Sequence, residues 1–546
     1  MSEDRCNVLL IQPQFVVGSF WNYQATCEMI GAKYPAPPLG LITIAAMLPE
    51  SWDIRLVDWN TQDLDDADIA WADLVMTGGM LPQQPSTLAV IERCKAQGVP
   101  VAVGGPDVTT SPDMYAHADF RVTGEAEGVL EKLVEAWRAG ERSGLFNAER
   151  FKADVTSTPV PRFDLLNFKD YTQICVQYSR GCPFTCEFCD IIEIYGRVPR
   201  TKTTQQMLAE LQTLYDLGYR GNVDFVDDNL IGNKKAVKAF LPELIAWQKA
   251  HKYPFLLSTE ASLNLADDPD LLEMMRDAGF FTVFIGIESP DPEILNATRK
   301  KQNTRRDIAA SIHRIYEAGI FVLAGFIVGF DEEKASVAEP ICGLIEEAAI
   351  PVSMAGLLFA LPETQLTRRL EREGRLHPGH SLAEGDLGDQ CTAGLNFDTL
   401  RPRAEILRDY RRIIDHIYSP ENYVARVRRV VDMLDMSGPN GELTRPRLKK
   451  DLSDFARILW HLTVRMPEHR RPYLKLLWYC LRTNPRALNA AIVLYALFVH
   501  LGPFSRYVVS EIERQIEGVE SGAWQRPKDK PTTGKPWREP SLEAAQ

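Results

Sequence analysis

Residues 179–190 read Ser-Arg-Gly-Cys-Pro-Phe-Thr-Cys-Glu-Phe-Cys-Asp, which places Cys182, Cys186 and Cys189 in the spacing C-x3-C-x2-C. Three thiolates on one short loop can hold three corners of an iron–sulfur cube, because cysteine is the usual ligand of such clusters. No fourth cysteine stands in the run. One iron would then stay open, and an open metal position serves catalysis rather than structure. Zinc is an alternative, but structural zinc takes four protein ligands, and the nearest histidines in sequence are His117 and His251. A redox pair is a third reading, against which stands the reduced state of intracellular thiols. The other seven cysteines are scattered, and ten in 546 residues are too few for a disulfide scaffold.

The run follows a β-branched stretch, 173–179, so it is read as a loop between a strand and a helix. Five further strands are expected downstream, at 222–226, 255–259, 282–287, 321–328 and 353–359, with helices such as 204–217 and 268–278 between them. Six such units fall short of a closed eightfold barrel and suit a partial one. Upstream, short strands at 8–11, 54–57, 74–76, 101–103 and 121–122 alternate with helical patterns at 38–48 and 87–97, which predicts a doubly wound parallel sheet. The expected fold is therefore α/β throughout its first two parts. Residues 1–150 form a Rossmann-like sheet, 151–170 a Pro-punctuated extended linker, and 171–371 the partial barrel. Basic helical patterns then mark a helical C-terminal domain over 372–520, and the Pro-rich 521–546 reads as a disordered tail.

Composition agrees with a globular chain: 45% of residues are hydrophobic and 25% charged. The net charge of −13 gives no overall attraction to nucleic acid, and the short basic run Arg197, Arg200, Lys202 reads as a cofactor contact or a solvated turn. The N-terminus lacks the basic and apolar regions of a secretory signal, so the expected compartment is the cytoplasm. The apolar stretch 488–501, closed by His500, Gly502 and Pro503, reads as a buried helix ahead of a membrane-surface contact. Trp460, Trp478, Tyr479 and Tyr495 fall at spacings that read as core packing.

C-x3-C-x-aromatic-C, with Phe188 as the aromatic, resembles the motif of radical S-adenosylmethionine (SAM) enzymes. The resemblance implies a [4Fe–4S] cluster on Cys182, Cys186 and Cys189, with SAM chelating the open iron. It also implies a partial (βα)6 barrel and a 5′-deoxyadenosyl radical. On the later strand ends, Asp227 or Asp228 in FVDDN, Ser258 and Glu260 in STEAS, and Glu288 in GIESP are the candidate SAM contacts beside Phe188. The usual Gly-Gly-Glu segment is absent; the alternative role of each carboxylate is a helix cap or an ion pair.

The first 150 residues resemble the cobalamin (B12)-binding domain that precedes the barrel in one large subfamily. Gln12, Gly78, Gly79, Met80, Gly104, Gly105 and Asp107 sit on strand-end turns, where open α/β sheets bind ligands, and are the candidate cobalamin contacts. The fingerprint D-x-H-x-x-G is absent, so no histidine is read as a cobalt ligand, and a vestigial domain without cofactor is the alternative. The whole resembles a B12-binding radical SAM protein, with a loose likeness to hopanoid methylases. That implies methylation of an unactivated carbon of a small organic metabolite through methylcobalamin. The rivals are a cyclase or oxidoreductase with the same cofactors, an RNA-modifying enzyme, and a non-catalytic corrinoid- or zinc-binding protein. The implied partners are a small, apolar substrate and an electron donor such as flavodoxin or ferredoxin, without nucleic acid. No catalytic residue beyond the cofactors is assigned. Anaerobic reconstitution is expected to load about four irons per chain, and a Cys186→Ala variant to lose both cluster absorbance and SAM cleavage.

Overall fold

A computed structural model of the chain describes residues 5–16, 18–378, 390–438 and 445–527. Six parallel strands form the first sheet: β1 (Asn7–Gln12), β2 (Asp53–Asp58), β3 (Leu74–Gly78), β4 (Val101–Gly104), β5 (Phe120–Thr123) and β6 (Gly144–Asn147). Their order is β2-β1-β3-β4-β5-β6. In β1, Leu9 and Ile11 enter one buried cluster while Val8 and Leu10 enter another on the opposite face. A strand buried on both faces is the mark of a doubly wound parallel sheet. β6 is the strand that the sequence pattern misses; it pairs with β5, and its residues alternate between half-buried and exposed, an edge strand without an apolar run.

The connector is not extended throughout. It carries single 3-10 turns at Val155–Ser157, Phe163–Leu165 and Phe168–Asp170. Then come β7 (Gln173–Val176) and a two-stranded ribbon of β8 (Ser179–Arg180) with β9 (Arg200–Thr201), which brackets the cysteine run. The chain continues through β10 (Gly221–Phe225), β11 (Phe255–Glu260), β12 (Phe280–Glu288), β13 (Phe321–Val328) and β14 (Val352–Leu357). Sequential pairing in the order β7-β10-β11-β12-β13-β14, all parallel, gives an open (βα)6 barrel. Local signals fix its helices. Thr203 and Gln206 form a capping box ahead of Thr204–Asp216, and Asp268 caps Pro269–Ala278, which ends on left-handed Gly279.

Helices dominate from Arg403–Ile417 onward, and the longest, Leu488–Glu520, runs 33 residues. It does not stop at Pro503. Phe504, Val508, Ile512 and Ile516 stay buried beyond that proline, and their packing outweighs the one lost hydrogen bond. It is the one helix among the described residues long and apolar enough to cross a membrane, and most of its apolar window lies inside the protein. Residues 521–527, expected in a disordered tail, dock instead. Trp524 lies under the Arg403 guanidinium, 4.6 Å from its ring centre, and Arg526 pairs with Asp398 at 2.8 Å. The rest of that tail, 528–546, lies outside the described residues.

The first sheet meets the barrel through buried ion pairs. Arg180 reaches Glu125 at 3.2 Å and Glu127 at 2.9 Å, and Arg200 reaches Glu125 at 2.8 Å. Neither Arg200 nor Lys202 is a solvated turn residue, since Lys202 is buried against Glu210 at 2.5 Å. Burial would raise Glu127, but hydrogen bonds and charge from Arg180, with Thr158, hold its carboxyl below the usual value. An Arg180→Met variant is expected to lose about 3–5 kcal/mol at neutral pH, because buried Glu127 loses its cationic partner and Glu125 keeps only Arg200. A carboxyl held low in the folded state adds stability above its unfolded pKa and gives it up as pH falls through its folded value. Urea titrations should therefore show the gap between wild type and variant narrowing toward about pH 4.

Candidate active site at the cysteine loop and a shared cavity

The cysteine loop leaves β7 at the carboxyl end of the barrel, the end where barrel enzymes carry their chemistry. Its entry is tightly specified. Asp227 accepts hydrogen bonds from the Tyr178 and Ser179 amides at 2.9 and 2.5 Å and from the Ser179 hydroxyl at 2.5 Å. Asp228 accepts one from the Gly181 amide at 2.8 Å. Gly181 sits at φ +95°, and a Cβ there would lie 2.9 Å from the Gly196 carbonyl oxygen. Both aspartates of FVDDN therefore position the loop, and neither lines the main cavity.

Around the thiols stand groups that the sequence reading passes over. Asn229 Nδ2 lies 3.8 Å from Cys182 Sγ, and Gln302 Nε2 lies 3.6 Å from Cys186 Sγ. Lys300 Nζ pairs with Glu288 at 2.7 Å and stands 6.0 Å from the Phe188 ring centre. Phe188 packs on Phe330 with ring centres 5.8 Å apart. Amide donors and a buried cation beside cysteine sulfurs are what a negatively charged cluster needs around it. Burial pushes the Cys182 and Cys189 thiols up, and the neighbouring thiols push the same way, so the three sit within one another's field. Among the described residues no three Cys, His, Asp or Glu side chains gather closely enough to ligate a single ion.

Beside the loop lies a cavity of about 950 Å³, at the upper end of the roughly 300–1,000 Å³ of small-molecule pockets. Its floor belongs to the first sheet: Gln12, Gly78, Gly79, Met80, Gly104 and Gly105 all line it. The two glycine turns pack so closely that a Cβ on Gly78 would run into the Gly104 carbonyl, and one on Gly105 would touch Gly79 at 3.4 Å. Such a bare backbone floor suits a large flat macrocycle. No histidine lines the cavity among the described residues, in keeping with the absent fingerprint. Asp107 does not face it. Its buried carboxylate accepts from Gln84 at 2.8 Å and from the Tyr115 hydroxyl, behind the glycine turn.

The same cavity enters the barrel along Cys175, Asp224, Ser258, Glu260, Thr282 and Phe284. The Ser258 hydroxyl donates to Asp224, whose other oxygen accepts from Gln173 at 3.2 Å. Burial, and then the Asp224 charge, hold Glu260 well above the usual carboxylate range. It lines the cavity, and its buried Oε2 has no hydrogen-bond partner. The thiols do not line the cavity, but Arg180 and Tyr195 on either side of their loop do. Glu288 also stays outside, on its Lys300 pair. Apolar wall comes from Phe15, Trp21 and Tyr34 of the segment after β1, from Ile458, and from Val493 and Leu497 of the long helix, while Glu125, Glu127 and Lys202 line the seam between the sheets.

Residues 28–134 match the B12 binding domain, 176–342 the radical SAM superfamily, and 364–514 a domain of unknown function, DUF4070. The chain is 42% identical over 514 residues to an uncharacterized methyltransferase of Synechocystis sp., covering 93% of this chain and 94% of that one. It is 36% identical to the hopanoid C-2 methylase of Rhodopseudomonas palustris, covering 84% and 86% of the two chains. Among solved structures, the fold resembles OxsB, a cobalamin-dependent SAM radical enzyme with aqua-cobalamin and SAM bound. The TM-score is 0.57 at 14% identity, over 96% of this chain and 82% of that one. It also resembles the radical SAM methyltransferase TsrM of Kitasatospora setae, solved with cobalamin and a [4Fe–4S] cluster, with a TM-score of 0.52 at 16% identity over 68% and 78%.

Gly40 offers a direct check of the cavity. It lines the space from the helix Leu39–Met47, and a Cβ there would meet nothing within 4 Å. Gly40→Leu should keep or slightly raise the melting temperature, since glycine in a helix costs up to about 1 kcal/mol. Absorbance titration with hydroxocobalamin should show binding weakened by about tenfold or more, equivalent to ~1.4 kcal/mol.

Proposed function

Because the chain belongs to the B12-binding radical SAM enzymes, we propose that it methylates an unactivated carbon of a small, apolar organic metabolite. When bound, the cluster and SAM supply a carbon-centred radical that removes a substrate hydrogen, and cobalamin supplies the methyl group. One observation carries the reading: a single cavity runs from the glycine floor of the first sheet into the barrel lumen, alongside the cysteine loop.

The chain's own residues divide the work. Cys182, Cys186 and Cys189 would hold the cluster, with Asn229, Gln302 and Lys300 compensating its negative charge. Asp227 and Asp228 fix the entry of that loop. Gly78, Gly79, Gly104 and Gly105 would seat the corrin, and Phe188, Ser258 and Glu260 are the remaining SAM-side candidates. Glu288 would act through Lys300, and Asp107 through the packing of its turn. Glu260, whose carboxyl burial pushes well above the usual range, would offer its unpartnered Oε2 to a bound group. The apolar segment after β1 and the long helix exclude water, which a radical intermediate requires. The likeness to a hopanoid C-2 methylase supports a polycyclic lipid as the substrate class. A flavodoxin or ferredoxin in the cytoplasm would supply the electron.

The test uses methyl-labelled SAM with the reconstituted enzyme, reductant and a lipid extract from cells lacking the gene. Label is expected in an extractable apolar product, one methyl mass unit above its precursor. A product of unchanged methyl content, formed with SAM cleavage, would replace this reading with cyclisation or oxidation.

A further inference from the structure

The helices around residues 445–483 expose apolar surface that the sequence pattern assigns to the core. On Pro467–Thr483, Tyr473, Leu476, Leu477 and Cys480 face inward. Leu474, Trp478 and Leu481 stand 44%, 60% and 55% exposed. Their spacing of four and three residues puts them on one helix face, pointing away from the buried stripe. On Arg445–Trp460 the same holds for Leu452 and Trp460, 58% and 49% exposed, and the turn between the two helices exposes Val464. Isolated apolar residues on a surface need no explanation, but two successive helices with outward apolar stripes do.

The charge around these stripes is opposite to that of the chain. Residues 452–486 carry seven Arg and Lys against two Asp and Glu, in a protein of net charge −13. Arg482 lies 4.8 Å from the Trp478 ring centre and Arg465 lies 5.3 Å from that of Trp460. Among the described residues, Arg465, Arg470, Arg471, Lys475, Arg482 and Arg486 make no ion pair with an acidic side chain. Exposed tryptophans flanked by arginines that are not neutralised are the composition of an interfacial helix, whose rings sit at headgroup level and whose cations meet anionic lipid.

We infer that this helix pair docks the enzyme on an anionic lipid bilayer. Charge selects this occupant over a second copy of the chain, since two such faces would repel each other. The geometry also connects the surface to the site. Ile458 lines the cavity from the same helix that exposes Leu452 and Trp460, so the docked face and the cavity wall are one helix apart. The long apolar helix Leu488–Glu520 is not the contact, because its apolar residues are buried.

The test is co-sedimentation of the full chain with sucrose-loaded vesicles of phosphatidylcholine alone or mixed with phosphatidylglycerol, at low and high salt. Binding is expected to the anionic vesicles, to weaken with salt, and to fall by about tenfold in a Trp478→Glu/Leu481→Glu variant, which replaces two interfacial apolar groups by charges of the lipid's own sign. Both positions are exposed, and unchanged melting verifies the fold. Failure of wild type to bind anionic vesicles at low salt, equal binding by the variant, or a concentration-dependent dimer that the variant abolishes would each overturn the inference. The assay needs no turnover, so it stands or falls separately from the methylation reading.

Discussion

The knot of Arg180, Arg200, Glu125 and Glu127 is where two independently legible sheets become one protein. Arg180 lies two residues before the first cluster cysteine, and Glu125 and Glu127 follow the last glycine turn before the linker. A charge pair buried this deeply is costly unless every member is matched, and here two guanidinium groups and the Thr158 hydroxyl match two carboxylates. The arrangement admits little slippage. Shifting the first domain relative to the barrel would strand at least one charge in a dry place. This contact fixes how the first sheet sits against the barrel.

Around the knot, the polar groups sort by task. Asp227 takes amides of the cysteine loop on both its oxygens, and Asp228 takes the Gly181 amide on one. Asp224 and Glu260 face the cavity, and burial pushes both carboxyls above their usual range. Lys300 is the buried cation beside the thiols. The result is a polar set around the cysteine loop, with Lys300 paired to Glu288, beside a cavity that holds buried carboxyls.

Much of this is legible in the chain because the signals are local. The cysteine spacing, the six strands of the barrel and the glycine turns after β3 and β4 are short patterns with direct physical causes. The sequence reading falls short wherever the partner is distant or the direction of a side chain matters. Nothing near Cys186 in sequence points to Gln302, 116 residues on. Asp107 follows Gly-Gly-Pro and so resembles a ligand residue, yet Tyr115 and Gln84 claim its carboxylate. Position at a strand end places Asp227 correctly in space but says nothing of where its oxygens point. Trp478 is the opposite case. Its spacing from Leu474 and Leu481 shows a second apolar stripe beside the one through Tyr473 and Cys480, and one helix cannot bury both against a single neighbour.

One bond closes the molecule end to end: the Thr26 hydroxyl donates to the Ala496 carbonyl at 2.9 Å, across 470 residues of sequence. Thr26 belongs to the segment after β1, Ala496 to the long helix, and both line the cavity. During synthesis the chain emerges N-terminus first, and domains fold as they appear. The glycine floor and the whole barrel are complete on the ribosome before the last wall exists. The nascent chain therefore passes through a stage in which floor and barrel exist without the wall that Val493, Ala496 and Leu497 supply.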